Sequence, residues 1–177
     1  GAMTDEGETW KVSGARQALR GIADIEGDPD AFAAQYHAET KTIPQIAAEV
    51  ARRYLSAGRA NEASAAVEAV PPSSGRIDWT ADALIDVRVD SLDALGRKDD
   101  AQAARRTYFE TRLSVPHLRD YLKRLPDFDD VEAEQTAMDH AASFPQLHWA
   151  LAFFRLWPAL DRASATVLAR AKELDGN

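Results

Sequence analysis

Apolar residues recur at every third or fourth position along most of the chain, and no stretch shows the strict alternation of a strand. The spacing predicts a first helix from about Ser13 to Glu26, with Ala15, Ala18, Leu19, Ile22 and Ile25 on one face. Gly27-Asp28-Pro29 ends it; Asp28 is placed to cap a short helix carrying Phe32 and Tyr36, with Pro29 as its first residue. Pro44 opens a helix with Ile43, Ile46, Ala47, Val50, Ala51 and Tyr54 in register, closed by Gly58. A partner from about Ala60 to Val70 turns Ala63, Ala66, Val67 and Val70 inward. Pro71-Pro72-Ser73-Ser74-Gly75 reads as a loop.

The same sentence is then written again. Asp78 is placed to cap a helix from Trp79 to Leu95 with Leu84, Val87, Ser91, Leu92 and Leu95 inside, and Gly96 closes it. Its partner runs from about Asp99 to Leu113 with Ala101, Ala104 and Tyr108 inward. Pro116 begins a short helix holding Leu118, Tyr121, Leu122 and Leu125. Past Pro126, Asp127 or Asp129 is expected to cap a helix to about Ser143, Asp129 and Glu132 having capping-box spacing. Pro145 opens a very apolar helix over 146–157, and Pro158 a last one with Leu160, Ala163, Val167, Ala171 and Leu174 aligned. The expected fold is all-α, about ten helices stacked as antiparallel hairpins.

Two segments carry the repetition most directly. Gly58-Arg59-Ala60-Asn61-Glu62-Ala63 and Gly96-Arg97-Lys98-Asp99-Asp100-Ala101 share the pattern Gly-Arg-x-(Asn/Asp)-(Glu/Asp)-Ala, 38 residues apart. A small residue at an inter-helix turn and an alanine five residues later resemble the tetratricopeptide repeats, over residues 43–114. That resemblance implies an α-solenoid in which the first helix of each unit lines a concave groove. The period departs from the family's 34, the Pro71–Gly75 loop supplying the excess, and Arg105 stands at a usually aromatic position. The later stretch, from Tyr121-Leu122-Lys123-Arg124-Leu125-Pro126-Asp127-Phe128-Asp129-Asp130 through Trp157-Pro158-Ala159-Leu160-Asp161-Arg162-Ala163, resembles an uncharacterised family of bacterial proteins, mostly alphaproteobacterial. That likeness implies a helical protein extending past this chain's last residue, and brings no catalytic residues.

Composition narrows the function classes. With 177 residues and 45 % apolar content the chain can bury a core. A net charge of −8 argues against nucleic acid or an anionic membrane as main partner, since both call for a positive field. No run approaches the ~20 apolar residues of a membrane span. The absence of cysteine removes disulfides, thiolate metal sites and cysteine nucleophiles, and fits a reducing, cytoplasmic compartment. Gly1-Ala2-Met3 has the form of a cleavage scar, and residues 1–9 read as a disordered acidic tail. Residues 10–177 are expected to form one helical repeat domain, a fragment of a longer protein.

Four patterns are candidates for function. Asp82, Asp86, Asp90 and Asp93 fall on one face of a helix, opposite Leu84, Val87, Ser91 and Leu95, and suit a basic peptide or helix; the alternative is a solvated face partly neutralised by Arg52 and Arg53. In the 146–157 helix, Leu147, Ala150, Leu151, Phe154 and Trp157 form one stripe, and Trp149, Phe153 and Leu156 a second. Either neighbouring helices cover both or one serves as an interface. Arg105, Arg106, Arg112, Arg119, Lys123 and Arg124, interleaved with Tyr108, Phe109 and Tyr121 and faced by only Glu110 and Asp120, could hold a single-stranded nucleic acid; the alternative is a helix surface pairing with the acidic stripe. The acidic run Asp127 to Glu134 lacks the glycine and ligand order of a calcium loop, and His37, His117, His140 and His148 have no metal-ligand spacing. His140 and Asp139 form a surface pair by default. No metal or cofactor is expected, and no catalytic residue is assigned. The resulting expectation is a non-catalytic protein-interaction or scaffolding module for a basic partner, with Asp82, Asp86, Asp90, Asp93 and Arg52 as determinants. The alternatives are a regulatory part of an enzyme whose chemistry lies outside these residues, and a nucleic-acid accessory module using 105–124.

Overall fold

The computed structural model describes residues 27–71 and 82–173. Among these the chain forms nine α-helices and no strand, in agreement with the all-α reading. The expected helix from Ser13 to Glu26, the acidic tail, most of the Pro71–Gly75 loop and the Asp78 cap lie outside the described residues. The helices fall into two compact units, the first ending at Lys98 and the second beginning at Asp99.

In the first unit Asp28 caps α1 (Pro29–Ala33), its carboxylate accepting from the amides of Asp30 at 2.9 Å and Ala31 at 3.3 Å, with Pro29 in the first turn. Phe32 and Ala33 of α1 pack on Val50 of α2 (Pro44–Ser56), with Tyr36, Ile46 and Tyr54 around them. The Arg53 guanidinium sits 4.0 Å from the Phe32 ring centre, a cation-π contact, and also meets Glu49 at 3.6 Å. Arg53 is thus engaged with α1 and its own helix.

α2 ends because Gly58 adopts φ +73°, and the chain returns as α3 (Ala60–Glu68). The Arg59 amide donates to the Tyr54 carbonyl at 2.8 Å and the Gly58 amide to Leu55 at 2.9 Å, the Schellman pairing that satisfies the last carbonyls of a helix. The second copy does the same after α4 (Asp82–Ala94): Gly96 is at φ +72°, with Arg97 donating to Leu92 at 2.9 Å and Gly96 to Asp93 at 3.0 Å. The recurrent Gly-Arg pair is therefore a helix stop written twice. A Cβ at either glycine would meet nothing within 4 Å, so glycine is required there for its backbone conformation and not for space.

The alanine of the pattern is the second half of the device. Ala63 is fully buried beside Ala48 and Ala51 of α2, and these small side chains let the two helices touch closely. α4 packs on both α2 and α3, with Val87 joining the same cluster. Behind the hairpin turn, Arg59 bridges Asp30 at 2.5 Å and Glu62 at 2.8 Å, Asp30 accepts from the Tyr54 hydroxyl at 3.0 Å, and the guanidinium lies over the Tyr54 ring.

The second unit is built from α5 (Lys98–Arg112), α6 (Val115–Leu122), α7 (Asp129–Ala142), α8 (Leu147–Leu156) and α9 (Leu160–Ala169). Its core holds Phe109, Leu118, Met138, Phe144, Phe153 and Phe154. Phe109 meets Phe153 at 5.6 Å between ring centres, Phe153 stacks on Trp157 and Phe144 on Trp149. Both stripes of the 146–157 helix are thereby largely covered, as expected for a helix apolar nearly all round. Arg170 closes the C-terminal end of α7, donating to the carbonyls of Ala142, Phe144 and Pro145 while Glu173 holds its guanidinium at 2.6 Å.

The start of α7 differs from expectation. Asp129 is the first helical residue, not the cap; Phe128 precedes it in the left-handed region at φ 75°, and no side chain caps the helix. The one-residue shift takes Asp129 and Glu132 out of capping-box register, and both are exposed at the first turn.

Replacing Gly58 or Gly96 by Ala is expected to cost about 1 kcal/mol each in urea denaturation, because the left-handed conformation is forced on a residue that resists it. Asn at the same positions should cost less. Equal losses for Ala and Asn would assign the effect to something other than φ. A second expectation concerns acid. Arg59, first by hydrogen bonding, holds the Asp30 and Glu62 carboxyls below the usual carboxylate range. Stability from these groups is therefore present above the ordinary carboxylate pKa and lost as pH falls through the depressed folded values. The stability gap between the wild type and Arg59→Gln should be constant near neutrality and shrink below about pH 4, checked by thermal melts across pH.

Candidate functional site

The acidic row on α4 is the first candidate. Asp86, Asp90 and Asp93 are exposed and Asp82 is half-buried. Val87 and Ser91 are buried on one side of α4, the Ser91 hydroxyl donating to the Val87 carbonyl at 2.7 Å, which leaves no demand for solvent there. Val89 and Leu92 are buried as well, at 6 % exposure each. At about 100° per residue, Val87 and Val89 lie on opposite flanks of the row Asp86, Asp90 and Asp93. The carboxylates thus occupy a narrow exposed strip between covered positions. The helix's own Arg88 lies on the side away from them. Arg52 of α2 reaches α4 by its guanidinium, 3.4 Å from the Ala83 carbonyl, whereas Arg53 turns to Phe32 and Glu49. Of the two bases expected beside the stripe, Arg52 is thus in contact with α4.

The basic segment 105–124 is not a single surface. Arg105 is 1 % exposed, bonded to Gln102 at 3.3 Å with Asp120 at 3.8 Å. Arg106 pairs with Glu110 at 2.8 Å and Arg124 with Asp120 at 3.0 Å. Arg119 lies over the Trp157 ring. The two acids of the segment engage three of its bases, Arg105, Arg106 and Arg124. Of the aromatics, Tyr108 and Phe109 are in the interior.

Of the second stripe on α8, Phe153 is 2 % exposed and belongs to the core, and Trp149 is half-buried against Phe144. Leu156 alone of the three is well exposed, at 58 %. Asp139 and His140 do not pair. Neighbours in a helix point about 100° apart, so Asp139 meets Arg162 at 2.6 Å, while His140 turns inward. Its Nε2–H donates to the Glu110 carbonyl at 2.7 Å, and its ring contacts Phe109 and Phe144.

A cleft of about 340 Å³ opens between α5, α6 and α7. Phe109, Leu118 and Ala137 form its floor, Tyr121, Leu125 and Ala133 its walls, and Arg106, Glu110, Asp129, Glu132, Thr136 and His140 supply polar groups. Glu110 holds the Arg106 guanidinium above its already high range, with Tyr121 adding to the effect. The sequence reading placed these residues on separate elements and did not bring them together. No local spacing connects them, because three helices contribute and the positions span 106 to 140. Among the described residues no group of three or more side chains is placed to hold a metal ion, and no described helix is long and apolar enough to cross a membrane.

No curated protein and no solved structure matches the chain. A family of unknown function (DUF6880) matches residues 3–177, covering the repeated hairpin segment as well as the stretch after Tyr121. The chain belongs to this family, DUF6880.

Proposed function

We propose that this protein is a non-catalytic interaction module whose first unit is a tetratricopeptide-like hairpin stack, and that α4 presents its acidic row to a basic peptide or helix. The packing of α4 on both α2 and α3 supports the likeness, since the first helix of one repeat contacts both helices of the repeat before it. The observation that carries the binding reading is the flanking of Asp86, Asp90 and Asp93 by buried Val87 and Val89. A row of carboxylates spaced four apart works against its own helix by a few tenths of a kcal/mol per pair. The net charge of −8 favours the approach of a basic partner.

Each exposed carboxylate contributes at most about 1 kcal/mol to a complex, so the row sets orientation and partner choice, with apolar contacts supplying affinity. The corresponding test selects binders from a displayed library of basic amphipathic peptides and measures them by fluorescence anisotropy. Asp86→Lys with Asp90→Lys should abolish binding and leave helicity unchanged. Binding to the wild type should weaken as salt rises. Undiminished binding by the charge-reversed form would overturn the reading.

A further inference from the structure

The cleft of the second unit has a chemistry different from that of the acidic row. Its floor reaches the core, since Phe109, Leu118 and Ala137 are each no more than 6 % exposed. A floor of that kind rewards an apolar or aromatic body and disfavours a hydrated inorganic ion. About 340 Å³ lies within the range of sites for small organic molecules. The lining is acidic: Glu110, Asp129 and Glu132 face a single guanidinium, Arg106. That guanidinium is committed to Glu110 at 2.8 Å, and His140 spends its Nε2–H on the Glu110 carbonyl. The lining's fixed cation and its inward histidine are thus both tied to Glu110. Asp129 and Glu132, one turn apart on the exposed start of α7, set the charge that an incoming molecule meets. The N-terminal end of α7 contributes roughly +0.5 of a charge, less than the charge of Asp129 and Glu132.

We propose that this cleft binds a small organic amine. The aromatic or branched apolar body rests on Phe109, Leu118 and Tyr121, and the ammonium group lies toward Asp129 and Glu132. The Tyr121 ring adds a face on which a cation is attracted. A carboxylate of the same shape would meet two like charges and no uncommitted base.

The test is a titration of the whole chain, followed by amide chemical shifts, with 2-phenylethylamine and, separately, its anionic counterpart 3-phenylpropanoate. The amine should give saturable shifts at millimolar concentration confined to the cleft segments around 106–110, 121–125 and 129–140, and the carboxylate none. Glu132→Gln should weaken the amine about two- to fivefold, as loss of one exposed ion pair does. Ala133→Leu, which fills a wall of the cleft, should remove binding while its thermal melt confirms that it folds. Should Ala133→Leu fail to fold, the contrast between the two probes on the wild type still decides. No saturable shift with the amine, equal binding of both probes, or shifts located on α4 would each overturn the proposal.

Discussion

Everything in the first unit depends on a backbone conformation that an L side chain resists. A helix that stops at a left-handed residue reverses within two or three positions, and that short reversal is what brings α3 against α2. Gly58 and Gly96 supply it at φ +73° and +72°. The following arginine takes the second Schellman bond through its amide, at 2.8 Å for Arg59 and 2.9 Å for Arg97. In the first hairpin Arg59 also ties the turn to α1 through Asp30. The alanine five residues after Gly58 then meets two more alanines across the interface, Ala48 and Ala51, so that the helices close to backbone contact.

The hairpin geometry has a consequence for charge. α4 is covered from more than one direction, and one exposed arc holds Asp86, Asp90 and Asp93. Burial of Val87 and Val89 on either flank narrows the strip. The second unit handles charge in the opposite way. Its bases are distributed among Glu110, Asp120 and an aromatic face, and Arg105 is taken into the interior with Gln102 and Asp120 as neighbours. Arg105 thereby becomes an internal strut, while Arg106 and Arg124 pair at the surface.

What the sequence disclosed follows from which interactions are local. The Asp28–Pro29 cap, the glycine stops and the buried alanines all rest on contacts within a few residues or on a single residue's φ preference, and each was readable. The burial of Val89 was not, because assigning one inner face to α4 presumes cover from one side only. The start of α7 escaped because Phe128, not an aspartate, takes the left-handed position before it, a conformation no rule assigns to phenylalanine. Arg105 read as a surface base among its neighbours, although its place at a usually aromatic repeat position pointed to the interior, where Asp120, fifteen residues on, comes within 3.8 Å. The cleft escaped for the same reason: α5, α6 and α7 each contribute an unremarkable helix face, and only their packing makes a site.

The central claim is that the exposed strip of α4 is a recognition surface. Amide hydrogen exchange, with and without a saturating basic amphipathic helix peptide, tests it most directly. The account predicts added protection in α4, centred on Asp86 to Asp93, with lesser protection on the exposed side of α2 near Arg52. Protection confined to the 105–124 segment, or no change anywhere in α4, would contradict it.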